Sequence, residues 1–556
     1  MKNKILLLAA LFIVSLSGFA QATDGLSGKV VDRWGKPVSG ALVSLVGNPA
    51  TAVATDSEGK FVIIAEAGDR VTIRTADFGA KEVLLEDNDS FVVTMDYSTQ
   101  AVDMGFGIQQ TLAESTGAIS RASSEDVNKR SSCNLGNSLF GNALGLTAMQ
   151  QSGLPWNNDA YFSIRGLQTL SSNGILILVD GFERPISNIS PEEVESVSVL
   201  RDAAAIALYG FKGANGVLSV KTKRGKYNTR EINIGYDHAF NSQIRLPEFA
   251  NSYTYARALN EALANDGKEQ RYNRNELDAF QSGKYPYLYP NVNWVDEVFR
   301  DRGSSNIYSI DFRGGGSKMR YFTLLNLQDN RGFINNPEQN PDYSAQMKYS
   351  RATIRTNLDI DVTPSTKVEV GLKGLLQETS RPGLNSDNMM YALYTVPSAA
   401  FPVKTYDGIW GGSETWGENM NPAALAWARG YSKSHNRALY ADIKLDQKLD
   451  FITQGLKATV RLGYDNFAAY WEGYTRGYEY ASDAVKWANG LPSDTTRFKG
   501  GATSNTSFSS SLDSQDRHYN IVGSIDYSKT FGNHSLYSSF IYSFDRQVYN
   551  GQHNTY

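Results

Sequence analysis

The sequence predicts a mainly β protein: a small N-terminal β-sandwich, a mixed α/β unit, then an incomplete antiparallel transmembrane β-barrel of about nine strands. Three observations predict it. Short apolar runs broken by turn formers fill residues 24 to 96. A strand–helix–strand pattern follows near 175 to 222. From residue 231 onward, apolar and polar side chains alternate along segments joined by short and long connections in turn. The 556 residues exceed one ordinary domain. The 49 glycines and 31 tyrosines suit a β-rich chain. Formal charge is −4, with no basic patch, which argues against nucleic acid as a partner.

The first residues, "MKNKILLLAALFIVSLSGFAQATDG", read as an export signal. Lys2 and Lys4 form the charged start, Ile5 to Leu16 the apolar core, and Gly18-Phe19-Ala20 a small-residue cleavage site. Cleavage is expected after Ala20, giving a signal peptide of residues 1–20. Gln21 and not Cys follows, which argues against a lipid anchor. The apolar run is short for a membrane span, and no later run of about 18 apolar residues exists. Cys133 is the single cysteine, so no intrachain disulfide can form; it reads as a small packed residue, with a nucleophile as the alternative.

Residues 21–97 are expected to be the sandwich. "GLSGKVVDRWGKPVSGALVSLVG" alternates about the turn Asp32 to Pro37, and the next segment repeats the device at Ser57-Glu58-Gly59 and Ala67-Gly68-Asp69. The stretch "GKVVDRWGKPVSGALV" resembles the carboxypeptidase-regulatory-like, transthyretin-like domain, an accessory module. Residues 98–130 are polar without sustained periodicity and read as a mobile linker with one extended patch, Ala101 to Phe106.

In residues 131–226, Ile175 to Val179 form a buried strand closed by Asp180-Gly181. Ser190, Pro191 and Glu193 have the order of a helix N-cap, first position and capping box. A strand over Val197 to Leu200 follows. Asp202 then caps a helix over Ala203 to Tyr209, and Gly210 stops it. Gly213 and Gly216 bracket a tight turn at Ala214-Asn215 ahead of the strand "GVLSVKTK". A phosphate cradle needs glycines between a strand and a following helix. Here the order is helix, glycines, strand, so the glycines read as backbone devices.

The last part, 227–556, carries strands expected near 231–240, 306–313, 320–329, 352–362, 367–375, 438–449, 456–464, 518–527 and 534–543. In "ATIRTNLDIDV", Ile354, Thr356, Leu358, Ile360 and Val362 point one way and Arg355, Asn357, Asp359 and Asp361 the other. Val368, Val370 and Leu372 oppose Lys367, Glu369 and Lys373; Val460 and Leu462 oppose Thr459 and Arg461. Short turns near 314–319, 363–366, 450–455 and 528–533 alternate with long connections near 241–305, 330–351, 376–437 and 467–517. That is the habit of outer-membrane barrels, apolar face to lipid and polar face to the lumen. Single-chain bacterial barrels have even strand numbers, an open sheet would leave unpaired backbone in hydrocarbon, and the final "DRQVYNGQHNTY" reads as a polar loop. The chain is therefore expected to be the front part of a longer protein, or a truncated product.

The stretch "SIRGLQTLSSNGILILVDGFERPISNISPEEVESVSVLRDAAAIALYGFKGANGVLSVKTKRG" closely resembles the plug of TonB-dependent outer-membrane transporters of the SusC/RagA class. The resemblance rests on Ile164, Arg165 and Gly166; on Val179, Asp180 and Gly181; on Arg201, Asp202 and Gly210; and on Gly213, Asn215 and Gly216. Upstream, "AVDMGFGIQQ" is similar to the family's Ton-box neighbourhood, so Ala101, Val102, Asp103, Met104, Gly105 and Phe106 become the expected TonB-binding segment, although Asp103 and Met104 interrupt its apolar run. The resemblance implies a nutrient importer driven through TonB, ExbB and ExbD. It also implies a SusD-like surface lipoprotein as partner, glycan or peptide as cargo, outer-membrane lipid around the barrel, and no cofactor.

Arg165 is the first functional candidate, as a fork that could hold the plug to the barrel wall, with a role inside the plug's own core as the alternative. Carboxylates in the lumen rows alternate with Lys and Arg and read as a solvated polar wall. Aromatics at Tyr285-Pro286-Tyr287 and Trp410-Gly411-Gly412 could stack on sugars, or serve packing and the interface belt. The five histidines (238, 435, 518, 534, 553) have no metal-ligand spacing, and no order of Ser, His and Asp suggests hydrolysis. A second function, a secreted or periplasmic binding or assembly protein with a vestigial barrel segment, predicts a soluble product.

Overall fold

The computed structural model describes residues 25–555 except 33–36, 67, 76–78, 86–89, 96–100, 107, 112–114, 131, 168–169, 171–172, 245–246, 384–385, 418–419, 532–533 and 551. The expected export signal at 1–20 and most of the turn Asp32 to Pro37 lie outside the described residues.

Seven strands come first: β1 (Leu26–Asp32), β2 (Leu42–Leu45), β3 (Asn48–Ala54), β4 (Lys60–Ile63), β5 (Arg70–Thr75), β6 (Gly79–Leu84) and β7 (Ser90–Met95). They form two sheets, ordered β4-β1-β7 and β3-β2-β5-β6. Alternate side chains meet between them: Val30, Val43, Phe61, Ile63, Val71, Ile73 and Val93 are buried in one cluster, as the period of two requires.

The expected linker is not one. β8 (Ala101–Gly105) and β9 (Ile108–Thr111) form a hairpin, and Met104 and Ile108 are buried in a cluster with Leu176, Leu200 and Val217. β10 (Ile119–Ser123) pairs with a strand of the mixed unit, and the helix Ser124–Asn128 buries Val127. Residues 119–123 therefore belong to the sheet, and 124–128 to the same unit, that was expected to begin at 131. The sequence lacked long periodicity there because each piece is only four or five residues long.

β11 (Leu146–Gln150) and β12 (Ala160–Ile164) make a ribbon. β13 (Leu176–Val179), β14 (Phe182–Glu183), β15 (Val194–Leu200) and β16 (Val217–Thr222) join β10 in a five-stranded sheet ordered β10-β15-β16-β13-β14. Asp202 caps the helix Ala203–Ile206 through Ala205 N at 3.0 Å. That helix is shorter than expected and tightens into 3₁₀ turns broken at Gly210, whose φ is +56°.

The remaining strands are β17 (Arg230–Ser242), β18 (Arg302–Gly315), β19 (Met319–Arg331), β20 (Lys348–Thr363), β21 (Thr366–Pro382), β22 (Trp410–Gly411), β23 (Gly430–Lys448), β24 (Leu456–Thr475), β25 (Tyr480–Ala488), β26 (Leu491–Gly500), β27 (Ser507–Phe531), β28 (His534–Tyr549) and β29 (Gln552–Thr555). All but β22, β25 and β26 form one antiparallel sheet in chain order, curved around the mixed unit. β17 and β29 do not pair with each other, so the sheet is not closed among the described residues. Nine long strands stand where they were expected, but the end differs. Asp545 to Tyr549 continue β28, and Gln552–Thr555 turn back on it. Several strands also run past their apolar segments: β24 reaches Thr475 and β27 begins at Ser507. Backbone pairing persists there with polar and aromatic side chains, which hydropathy alternation does not register.

The long connections are folded. Helices Trp294–Val298, Ser386–Thr395 and Pro422–Trp427 share an apolar core with Ile334, Met347 and Phe401, and Leu154 and Trp156 of the mixed unit pack against it. Tyr285 packs with Trp487 in a separate cluster with Phe280 and Tyr289, and Trp410 is half-buried against the first core.

Candidate functional site: the interface between plug and wall

Each wall strand shows one row to the mixed unit and the opposite row outward. On β20, Arg351, Thr353, Arg355, Asn357 and Asp359 are buried, whereas Ile354 is 49% exposed. Leu325, Leu372, Ile443, Leu462 and Ile525 are likewise exposed on the outer face. Polar in and apolar out is the reverse of a water-soluble sheet.

The inner row was expected to be solvated. It is instead dry and occupied, because the mixed unit fills the lumen. Glu193, fully buried, accepts from Arg355 Nε at 2.5 Å and from Lys373 Nζ at 2.6 and 2.9 Å. Its other partner is its own capping-box amide, Ser190 N at 3.0 Å. Burial alone would push the Glu193 carboxyl up, but Lys373 and Arg355 outweigh it and hold the pKa at about 2. Lys373 also donates to Asn188 O.

A second lock surrounds Arg184, just past β14. Its guanidinium grips Asp465 at 2.7 Å and Asp442 at 2.5 Å, two carboxylates on neighbouring strands, with the rings of Phe182 and Tyr440 about it. Burial opposes the charge on Arg184, and the two aspartates more than restore it, raising its pKa. Arg351 donates to Ser187 O, Cys133 O and Ser190 Oγ at 2.7–2.9 Å. Near the short turns Arg224 pairs with Asp359 and, at 3.4 Å, with Glu369. Such pairs are costly to break once dry, because the abandoned charge stays buried.

The residues singled out from the sequence divide by role. Asp180 takes a positive φ of 52°, and its carboxylate accepts from Thr222 N and Oγ1 at 3.0 and 2.7 Å and from Arg355 at 3.4 Å. Burial opposes its charge, while Arg355 and Arg224 lower its pKa. Gly181 follows at φ +90°; a Cβ there would sit 2.9 Å from Arg461 on the wall. Gly216, at φ +98°, lies against Ile164 where a Cβ would clash at 2.7 Å, and Asn215 donates to Gly174 O. Val179 and Ile164 are core. A Cβ on Gly213 would meet Tyr209 at 2.9 Å. Arg201 lies over Gly145, and the Asp202 carboxylate also accepts from Ala118 N at 2.6 Å.

Arg165 stands elsewhere. It is exposed at φ +60° beside Gly166, at the end of β12, and takes no part in the ion pairs between plug and wall among the described residues. Glu193 and Arg184 do that work. Glu193 was legible only as a capping residue, and Arg184 carried no local signal; their partners lie more than 160 positions away.

The expected TonB-binding segment is docked. The Tyr209 hydroxyl donates to Met104 O at 2.6 Å, and the Phe106 ring, on a residue at φ +52°, lies 5.5 Å from the Tyr209 ring. Gly105 leaves no room for a Cβ beneath that hydroxyl. Ile541, on the inner face of β28, closes the cluster.

Between plug and wall, on the side of the long connections, lies a cavity of about 450 Å³. Trp156, Asn158 and Asp159 of the plug and Arg351, Tyr440 and Asp516 of the wall are among its lining. Burial raises the pKa of Asp159 and of the Cys133 thiol, which also borders the cavity. Among the described residues, no helix is long and apolar enough to cross a membrane, which says nothing of strands.

A sheet with a buried polar face wrapped on a globular unit and an exposed apolar face is the arrangement of a plugged membrane-barrel wall. Residues 111–217 match the TonB-dependent Receptor Plug Domain. The TonB-dependent receptor P26 of Formosa agariphila is 26% identical over 440 residues, covering 75% of this chain and 41% of its own length. The TonB-dependent receptor SusC of Bacteroides thetaiotaomicron is 26% identical over 348 residues, 60% of this chain and 32% of its own. Among solved structures, the RagAB peptide transporter superposes with TM-score 0.55 at 17% identity, covering 78% of this chain and 48% of that one. The RagAB peptide importer in its open-open state gives 0.54 at 18%, covering 81% and 55%. The chain thus carries a TonB-dependent receptor plug domain and is similar to SusC/RagA-like TonB-dependent receptors, and it spans about a third to two-fifths of the length of those curated relatives.

Proposed function

We propose that the chain belongs to an outer-membrane importer in which TonB, energised by ExbB and ExbD, pulls on residues 101–106 to remodel the plug. The observation that carries this reading is the inversion of the wall: charged side chains are buried against the plug and aliphatic ones are exposed outward. Only a sheet standing in hydrocarbon gains from that arrangement. The short turns then face the periplasm and the capped long connections face outward. TonB would add a strand to β8, whose docking through the Tyr209 contact would then give way under load. Export by the leader at 1–20 and a division into sandwich, hairpin, plug and wall belong to the same reading.

The proposed cargo is an oligosaccharide or a peptide, delivered by a SusD-like surface lipoprotein. The RagAB structures, a peptide transporter and a peptide importer, support the peptide alternative. The cavity, with Trp156 and Tyr440 beside amide and carboxylate groups, suits a polar ligand with stackable faces. Deleting residues 101–106 from the complete protein is expected to abolish uptake and TonB binding while leaving membrane insertion unchanged. Uptake that survives the deletion overturns the reading.

A further inference from the structure

The outward face of the wall is not uniformly convex. Between β19 and β27 it holds a groove of about 620 Å³ with a mostly apolar lining. The floor lies where the outward row is small. Ala352 stands opposite Leu376, Gly374 sits between Ile354 and Leu439, and Ala468 stands opposite Arg437. A Cβ on Gly374 would already crowd Ile354 at 3.1 Å. Leu325, Leu327, Leu376 and Leu439, each 40–57% exposed, form the sides.

At its upper end, toward the long connections, the groove meets Arg437. That guanidinium is exposed, lies 6.0 Å from the Tyr470 ring, and has no ion pair among the described residues. The next outward cation on β23 beyond His435 is Lys433, over Tyr431. The carboxylates beside this row, Glu378 and Glu472, both lean on His435, at 3.4 and 3.6 Å.

We infer that this groove holds one acyl chain of a phosphate-bearing lipid of the outer leaflet, with Arg437 on the phosphate. The inference rests on the reading that this face meets lipid. Lipid tails are as apolar as the groove, so filling it with a chain gains little by itself. Selectivity comes from the head group: a guanidinium offers a planar pair of donors to a phosphate, at the border where the field is no longer screened by bulk water. The small floor residues bring the chain close enough to the wall for the phosphate to reach Arg437.

The test uses the full chain purified in detergent and native mass spectrometry with two matched probes, dipalmitoyl phosphatidic acid and dipalmitoylglycerol. Wild type is expected to retain the phosphatidic acid at least tenfold better than the glyceride, and excess inorganic phosphate is expected not to displace it. Arg437→Gln is expected to erase that preference, Arg437→Lys to keep part of it, and Ala468→Leu, which fills the floor, to lower retention of both lipids. Equal retention of the two probes by wild type, an unchanged preference in Arg437→Gln, or displacement by free phosphate overturns the proposal. Alkaline extraction of membranes separates this failure from failure of the importer reading: a chain that stays in the membrane but ignores the phosphate sinks only the groove.

Discussion

Replacing Glu193 by Gln removes the anion from the driest contact between plug and wall. The carboxylate is 0% exposed and takes three hydrogen bonds from two cations that are themselves 1% exposed. Gln cannot neutralise them. Beyond what the neutral Gln oxygen can accept, Arg355 would keep contacts of 3.4 Å with Asp180 and 3.5 Å with Thr222 Oγ1, and Lys373 the Asn188 carbonyl. Breaking a buried pair from one side costs about 3–5 kcal/mol. At 1.4 kcal/mol per decade, the population with the plug undocked is expected to rise about 10²- to 10³-fold. Cys133 reports it: the single thiol lies at the same interface, its carbonyl held by Arg351. A bulky polyethylene-glycol maleimide should label it faster in the variant by that factor, with strand content unchanged by circular dichroism. Pairing Glu193→Gln with Lys373→Met should restore much of the protection, since the orphaned ammonium is gone. A single variant that labels within threefold of wild type would refute the assignment of this contact as the lock.

The same lock sets a pH response. Because the folded pKa of Glu193 lies below the ordinary value, its contribution is complete above about pH 4.5 and is lost as pH falls toward 2; protease resistance of the plug should decline as pH falls below about 4, and the decline should be absent in Glu193→Gln. Tyr209→Phe removes the bond to Met104 O, worth about 1 kcal/mol, and should speed hydrogen exchange of the hairpin at 101–111 about fivefold while leaving β15 and β16 unchanged. Ile443→Arg places a cation within the outward apolar row between Leu439 and Leu445 and should cost about 2–4 kcal/mol, read as lost assembly into the outer membrane; wild-type assembly would contradict the orientation of the sheet. Gly216→Ala meets Ile164 at a positive φ and should destabilise the plug by about 1–3 kcal/mol in urea titration.

What the sequence determined by itself is what repeats over a few residues. A period of two fixed which side chains share a face of β20, β21 and β24. The succession of short and long connections announced a barrel wall, and the order of Asp202, Ala203 and Gly210 announced a capped, terminated helix. The opening of the plug sheet at β10 escaped because five residues carry too little period to read. Only the tertiary structure decided which charges meet. Arg165 has the right chemistry for a clamp but stands at the open end of β12, whereas Glu193 and Arg184 reach Arg355, Lys373, Asp442 and Asp465 across 160 to 281 positions. The physical reason is that hydrophobic alternation is a property of the local backbone. The pairing of buried charges depends on how a separately folded plug is seated against strands that form much later in the chain.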